Sequence, residues 1–220
     1  MLLDEARRRL ASLPSRLPPP PAELMPLLLP AEPGDRPRRR PFPSGPLREA
    51  AVLILIHPDE QGEAWLTLIE RAGGEHIHAG QVSLPGGAIE AGETPVEAAL
   101  REANEEVHLD VEQAGVHVVG ELPTADVTVS GYRIHPVLAF AERAPLVSPD
   151  KVETVAVFSA ALAAFVPPAP IEITTAEREG YRLRYGGYRI GRYHVWGATA
   201  GILGRLGAYL AKVGREGQQT

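Results

Sequence analysis

The chain has 220 residues, 44% of them apolar and 23% charged, a balance that supports one globular domain with its own core and excludes wholesale disorder. It contains no cysteine, which excludes disulfides, thiolate metal sites and cysteine nucleophiles, so any metal must be held by oxygen or imidazole. The formal charge of -6 argues against a nucleic-acid partner and favours small substrates; the absence of a bilayer-length apolar run, or of a signal-peptide core in Met1 to Leu10, argues for a cytoplasmic protein with no membrane role.

Taken in chain order, Asp4 to Leu13 has helical apolar spacing, but prolines recur from Pro14 to Pro46 and exclude continuous helix there. Residues 14–46 read as an extended arm laid over the domain or partly mobile, with Arg38 to Arg40 as its charged part. The helix and arm, residues 1–46, are thus set apart from a domain over 47–220. Ala51 to Ile56 is a continuous apolar run suited to a strand buried on both faces, with Trp65 to Glu70 as its neighbour. Leu84-Pro85-Gly86-Gly87 lets backbone approach closely and can expose a carbonyl oxygen. Thr94-Pro95-Val96-Glu97 combines an N-cap, a proline at the first helical position and a capping-box glutamate, and so predicts a helix from Pro95 to Val107. Val96, Leu100, Ala103 and Val107 form its core stripe, which turns Glu102, Glu105 and Glu106 towards solvent.

Further on, Val116 to Leu122 and Tyr132 to Phe140 read as strands, completing a mixed α/β domain. Tyr181 to Tyr185 and Tyr188 to Tyr193 flank Gly186-Gly187, a pattern that predicts a tight hairpin. A final helix over Gly197 to Val213 presents Ile202, Leu203, Leu206, Leu210 and Val213 for docking on the sheet.

The chemistry gathers on the helix after the glycine loop. Glu102 and Glu106 are like charges four residues apart, which costs about 0.2–0.5 kcal/mol at an exposed site. Arg101 pairing with Glu97 and Glu105 offers one offset to that repulsion. A bound cation offers another, and hard oxygen donors suit magnesium or manganese.

Gly87, Glu93, Arg101-Glu102 and Glu105-Glu106, at these spacings, resemble the Nudix box, here spanning Gly87 to Leu109. The pattern's glycine near the helix end is His108, at a position where left-handed backbone is expected. The resemblance implies a Nudix-type α/β/α sandwich with a mixed sheet and a loop-helix-loop catalytic motif. It implies that Glu105 and Glu106 bind Mg2+ or Mn2+ with the carbonyl of Gly86, that Glu102 is a further ligand or the base, and that Arg101 orients the carboxylates. Glu93 takes a structural part, and Glu121, Asp150 and Glu153 are candidates for an acid from outside the box.

The flanks narrow the resemblance. Leu68-Ile-Glu-Arg71, His78-Ala-Gly-Gln-Val-Ser-Leu-Pro-Gly-Gly87, Val119-Gly-Glu-Leu-Pro123, Ser130-Gly-Tyr-Arg-Ile-His-Pro136 and Val195-Trp-Gly-Ala-Thr-Ala200 resemble segments of the coenzyme A diphosphatases. Two positions depart, His76 where that subfamily has arginine and Leu84 where it has phenylalanine; histidine is a weaker, pH-dependent phosphate donor. Arg71, His76 and Arg133 are the expected phosphate contacts. The implied reaction is hydrolysis of coenzyme A, or of its acyl or oxidised forms, to 3',5'-ADP and 4'-phosphopantetheine. Alternatives are a Nudix hydrolase of ADP-ribose or a dinucleoside polyphosphate, and a nucleotide-binding module without catalysis, against which the intact acids argue. The proline-rich arm is left open between a homodimer interface, a cover over the site, and neither.

Overall fold

A computed structural model describes residues 1–30, 45–73, 80–127, 130–178 and 180–216. In chain order these form α1 (Leu3–Leu10), β1 (Leu27–Pro30), β2 (Arg48–Pro58), β3 (Ala64–Arg71), β4 (Val82–Ser83), β5 (Gly86–Ala88), α2 (Pro95–Val107) and α3 (Val111–Ala114). They continue with β6 (Val116–Glu121), β7 (Ala125–Val127), β8 (Tyr132–Ala141), β9 (Thr154–Ala161), β10 (Glu172–Arg178), β11 (Tyr181–Ile190), β12 (Tyr193–Trp196) and α4 (Gly197–Glu216).

The main sheet runs β4-β3-β2-β8-β6, with β9 on β3, β5 on β2 and β7 on β8. β2 and β8 are parallel, from Arg48 opposite Tyr132 to Ile56 opposite Phe140, while the other pairs are antiparallel, so the sheet is mixed as expected. β2 is buried on both faces because it is apolar at both parities. Leu53 and Leu55 pack with Ala98, Ala99, Ala103 and Val107 of α2, whereas Ile54 and Ile56 pack with Leu3 and Leu10 of α1 and Leu203, Leu206 and Leu210 of α4. The result is an α/β/α sandwich.

Behind the second face stands a small antiparallel sheet, β1-β11-β10 with β12 on β11. The arm contributes to it, since β1 pairs with β11 and Leu17 and Leu24 are buried in the main core. Arg38 to Arg40 lie outside the described residues.

One expectation is corrected here. Gly186-Gly187 is not a hairpin turn but the middle of β11, and β11 turns into β12 at Gly191-Arg192 instead. The glycines are needed for close approach: a Cβ on Gly186 would strike the carbonyl of Glu23, and one on Gly187 would strike the His194 ring and the Val195 carbonyl. α4 docks through Ile202, Leu203, Leu206 and Leu210 as expected, sharing a core with Ile54, Ile56 and Leu138 of the main sheet and touching β7, and it also packs against β11, β12, α1 and the turn Leu162–Phe165. No helix among the described residues is long and apolar enough to cross a membrane.

Candidate active site

The loop before α2 is held in place from the sheet side. Val52 pairs with Gly86 and Ala50 with Ala88, and the Leu53 N–H donates to the Pro85 carbonyl at 2.8 Å. Gly86 has φ +153°, and a Cβ there would collide with the Ala51 carbonyl, so only glycine permits this crossing. A Cβ on Gly87 would fall on the Glu102 carboxylate, and its absence is what gives Glu102 room.

α2 begins as the sequence predicts. Thr94 Oγ1 accepts from the Glu97 N–H at 3.3 Å, and Glu97 accepts from the Thr94 N–H at 2.8 Å. Glu97 is thereby spent on the cap and does not pair with Arg101. The helix ends at His108, whose φ of 54° and ψ of 39° are left-handed, as expected at that position, and whose Nδ1 lies 2.9 Å from the Ser148 carbonyl.

The structure corrects the depth of Glu106. The residues of α2 that are buried most completely are Ala98, Ala99, Ala103, Glu106 and Val107, so the core face is rotated from the Val96/Leu100 stripe. Glu106 is 3% exposed. Its Oε2 accepts the Gly86 N–H at 2.8 Å and its Oε1 accepts from Arg71 Nη1 at 3.0 Å. Burial pushes its pKa up to about 7; the Gly86 N–H and Arg71 oppose that, and Glu102 and Glu153 reinforce it.

Arg101 is the hub of the outer acids. Its Nε and Nη2 grip Glu93 at 2.7 and 3.0 Å, and its Nη1 reaches Glu102 at 2.9 Å and Glu105 at 3.1 Å. Nη2 also donates to the Ala88 carbonyl at 3.1 Å, tying the helix to β5. The Arg101 hydrogen bond holds Glu93 down at about 2, and the guanidinium is raised in turn.

Arg71 ends β3 at a register shift against β9, a bulge that re-aims the side chain. It meets Glu106 and, at 3.7 Å, Glu153, which is fixed beside it where the Ala72 N–H donates to the Glu153 carbonyl at 2.7 Å. Asp150 is committed elsewhere: burial works against its charge, but the N–H groups of Glu153, Thr154 and Val152 outweigh that and lower its pKa. Glu121 pairs with His135 at 3.4 Å, away from this cluster. Of the three acids proposed from outside the box, Glu153 has both the place and a free carboxylate edge.

These residues line a pocket of about 400 Å³ that also takes in Gly87, Glu90 and Tyr132. Six acids face two arginines, Arg71 and Arg101, and both arginines are engaged by acids. Among the described residues no three acids are drawn around one point in this arrangement, because the guanidinium groups hold the carboxylates. The excess of negative charge, the all-oxygen donors and a buried carboxylate at about 7 nevertheless fit a hard divalent cation.

Arg71, Gly86, Arg101, Glu102, Glu105 and Glu106 therefore come together as expected. Arg133 does not join them; it is bidentate to Asp126 at 2.8 and 2.9 Å and lies off the pocket. His76 and His78 lie outside the described residues. Glu90 and Tyr132 are pocket residues that the sequence reading missed. Tyr132 lies beside Arg133 in Ser130-Gly-Tyr-Arg-Ile-His-Pro136, but nothing in the residue type singles it out.

The NUDIX domain family matches residues 47–178. The chain is 35% identical over 167 residues to the "Uncharacterized Nudix hydrolase NudL" of Enterobacter sp. (strain 638), and 37% identical over 163 residues to the protein of that name from Escherichia coli O7:K1; each alignment covers 72% of this chain and 81% of the relative. Among solved structures, the chain is similar to RenU, a Nudix hydrolase from M. Smegmatis, with 30% identity, a TM-score of 0.47, and coverage of 55% of this chain and 74% of that one.

Proposed function

The chain belongs to the Nudix family and is a Nudix hydrolase, and on that footing we propose that it is a divalent-cation-dependent diphosphatase of coenzyme A or its derivatives, yielding 3',5'-ADP and 4'-phosphopantetheine. The observation that carries the chemistry is the buried Glu106, held between the Gly86 N–H and Arg71 beside a second tier of acids organised by Arg101. The coenzyme A assignment is supported by the flanking segments that resemble that subfamily. The relatives' names give the hydrolase and no substrate.

Glu105, Glu106 and Glu102, with the Gly86 carbonyl, would hold magnesium or manganese, and Glu153 is the acid from outside the box best placed to assist. A bound cation supplies charge neutralisation for the diphosphate and acidifies water. The chain's own residues do the rest. Glu102, lodged against Gly87, accepts the proton of the attacking water. The water oxygen bonds to one phosphorus as the bridging P–O bond breaks, and the phosphate of the other half departs. Arg101 positions Glu102 and Glu105, and Glu93 fixes Arg101 so that it cannot swing away. Arg71, already in the pocket, exchanges Glu153 for a substrate phosphate oxygen; a guanidinium offers several donors and does so without releasing Glu106.

Chromatographic analysis of coenzyme A, ADP-ribose and diadenosine polyphosphates incubated with enzyme and magnesium, manganese or chelator tests this. The expected result is metal-dependent release of 3',5'-ADP from coenzyme A in preference to the others. Cleavage of another nucleotide alone removes coenzyme A and keeps the diphosphatase; no cleavage of any compound leaves a binding module.

A further inference from the structure

Around the pocket, the arginines differ in what they are bound to. Arg71 and Arg101 are held by carboxylates, and Arg133, outside the pocket, is closed on Asp126. Arg48 is different. Its Cζ lies 4.1 Å over the ring of Tyr132, a pocket residue, and among the described residues it has no carboxylate partner. Its backbone is fixed at the start of β2, opposite Tyr132 in the β2–β8 register and with its N–H donating to the Gly131 carbonyl at 2.8 Å. The side chain itself is exposed, resting on the ring by a cation–π contact that orients the guanidinium without spending its N–H donors. Measured along β2, Arg48 stands four residues from Val52, the partner of Gly86, roughly 13 Å at the rise of an extended strand. Among the described residues, it is a guanidinium beside this acid-rich pocket that no carboxylate holds.

We propose that Arg48, carried on Tyr132, recognises a phosphate monoester on the nucleoside half of the substrate, and so selects substrates that bear a third phosphate besides the diphosphate. The argument rests on the diphosphatase reading of the pocket. A dianionic monoester is the ligand that a planar fork of free donors fits best, in bidentate fashion. The same group would be repelled by the six acids if it lay deeper, so the rim position of Arg48 fixes both where it binds and which end of the substrate points outward.

The test compares coenzyme A with 3'-dephospho-coenzyme A on wild type, Arg48→Gln and Arg48→Lys. The glutamine variant is expected to lose about 10- to 100-fold in kcat/KM for coenzyme A, the effect of deleting a charge-assisted hydrogen bond, through KM with kcat held. Its kcat/KM for the dephospho compound stays at the wild-type value, and lysine, a point charge without the fork, recovers part of the loss. Equal losses on both compounds, or none on either, overturn the proposal. Should the wild type cleave neither compound, the coenzyme A reading fails by itself, and the same ratio is measured with 2'-phospho-ADP-ribose against ADP-ribose. A glutamine variant that keeps the wild-type ratio on that pair overturns the proposal as well.

Discussion

Replacing Glu106 by glutamine should separate the stability of this protein from its activity in a pH-dependent way. The folded carboxyl titrates near 7, against an ordinary value of 4.5, chiefly because it is buried. The gap corresponds to about 3 kcal/mol at about 1.4 kcal/mol per pH unit. Because the folded state holds this proton more tightly than the unfolded chain, the contribution is fully present below pH 4.5 and is lost as the pH rises through 7. In chelator, wild type should therefore lose on the order of 3 kcal/mol from this group alone between pH 4.5 and 7.5, other titrations adding their own slopes. Glutamine keeps an oxygen for the Gly86 N–H and cannot ionise, so the variant lacks this component. Urea denaturation of both proteins at half-unit steps from pH 4.5 to 8 reads the difference, which should widen steadily in favour of the variant. Magnesium or manganese at pH 8 should restore stability to the wild type more than to the variant, while turnover of the variant collapses. Parallel pH profiles for the two proteins would refute the reasoning, since they would mean that Glu106 is not held protonated by its surroundings.

Two glycines of α4 should respond with opposite signs. A Cβ on Gly207 would run into the Phe165 carbonyl, so Gly207→Ala should cost about 1–3 kcal/mol, whereas Gly201 faces open space and Gly201→Ala should gain about 0.5–1 kcal/mol from helix propensity, both read as shifts in Tm. His108→Gly should stabilise by about 1 kcal/mol, the cost of a left-handed L-residue, offset in part by loss of the contact to Ser148, and should leave turnover unchanged. Glu93→Gln should lower kcat at least tenfold, on the order expected when a group that positions a catalytic base is lost, with the helix content by circular dichroism unaltered. Glu97→Ala should do the reverse, lowering Tm through the lost capping box and sparing kcat.

The start of α2 was legible to the residue because Thr94, Pro95 and Glu97 each report the same helix end by independent chemistry. The acids were legible from their spacing, but the depth of Glu106 was not. Leucine and valine dominate any reading of a helical stripe, while here three alanines, Ala98, Ala99 and Ala103, bring α2 so close to β2 that the neighbouring glutamate goes down with them. Gly186-Gly187 misled because glycine pairs serve tight turns and close backbone crossings alike, and the atoms that decide between the two, in Glu23 and His194, are remote or across a strand. Tyr132 was invisible because its role depends on Arg48, a residue that only the sheet brings beside it.

That last pairing bears on how the protein reaches its working form. β2 and β8 are parallel neighbours, so the chain between them, including β3, β5 and all of α2, must be closed into a loop before Arg48 meets Tyr132. The capped helix with its acids can form on local information. The pocket rim is a product of long-range pairing, and refolding followed through the Trp65 and Trp196 signals should be correspondingly slow. A chain arrested before β2 and β8 zip together would display the whole acidic helix and still have no site.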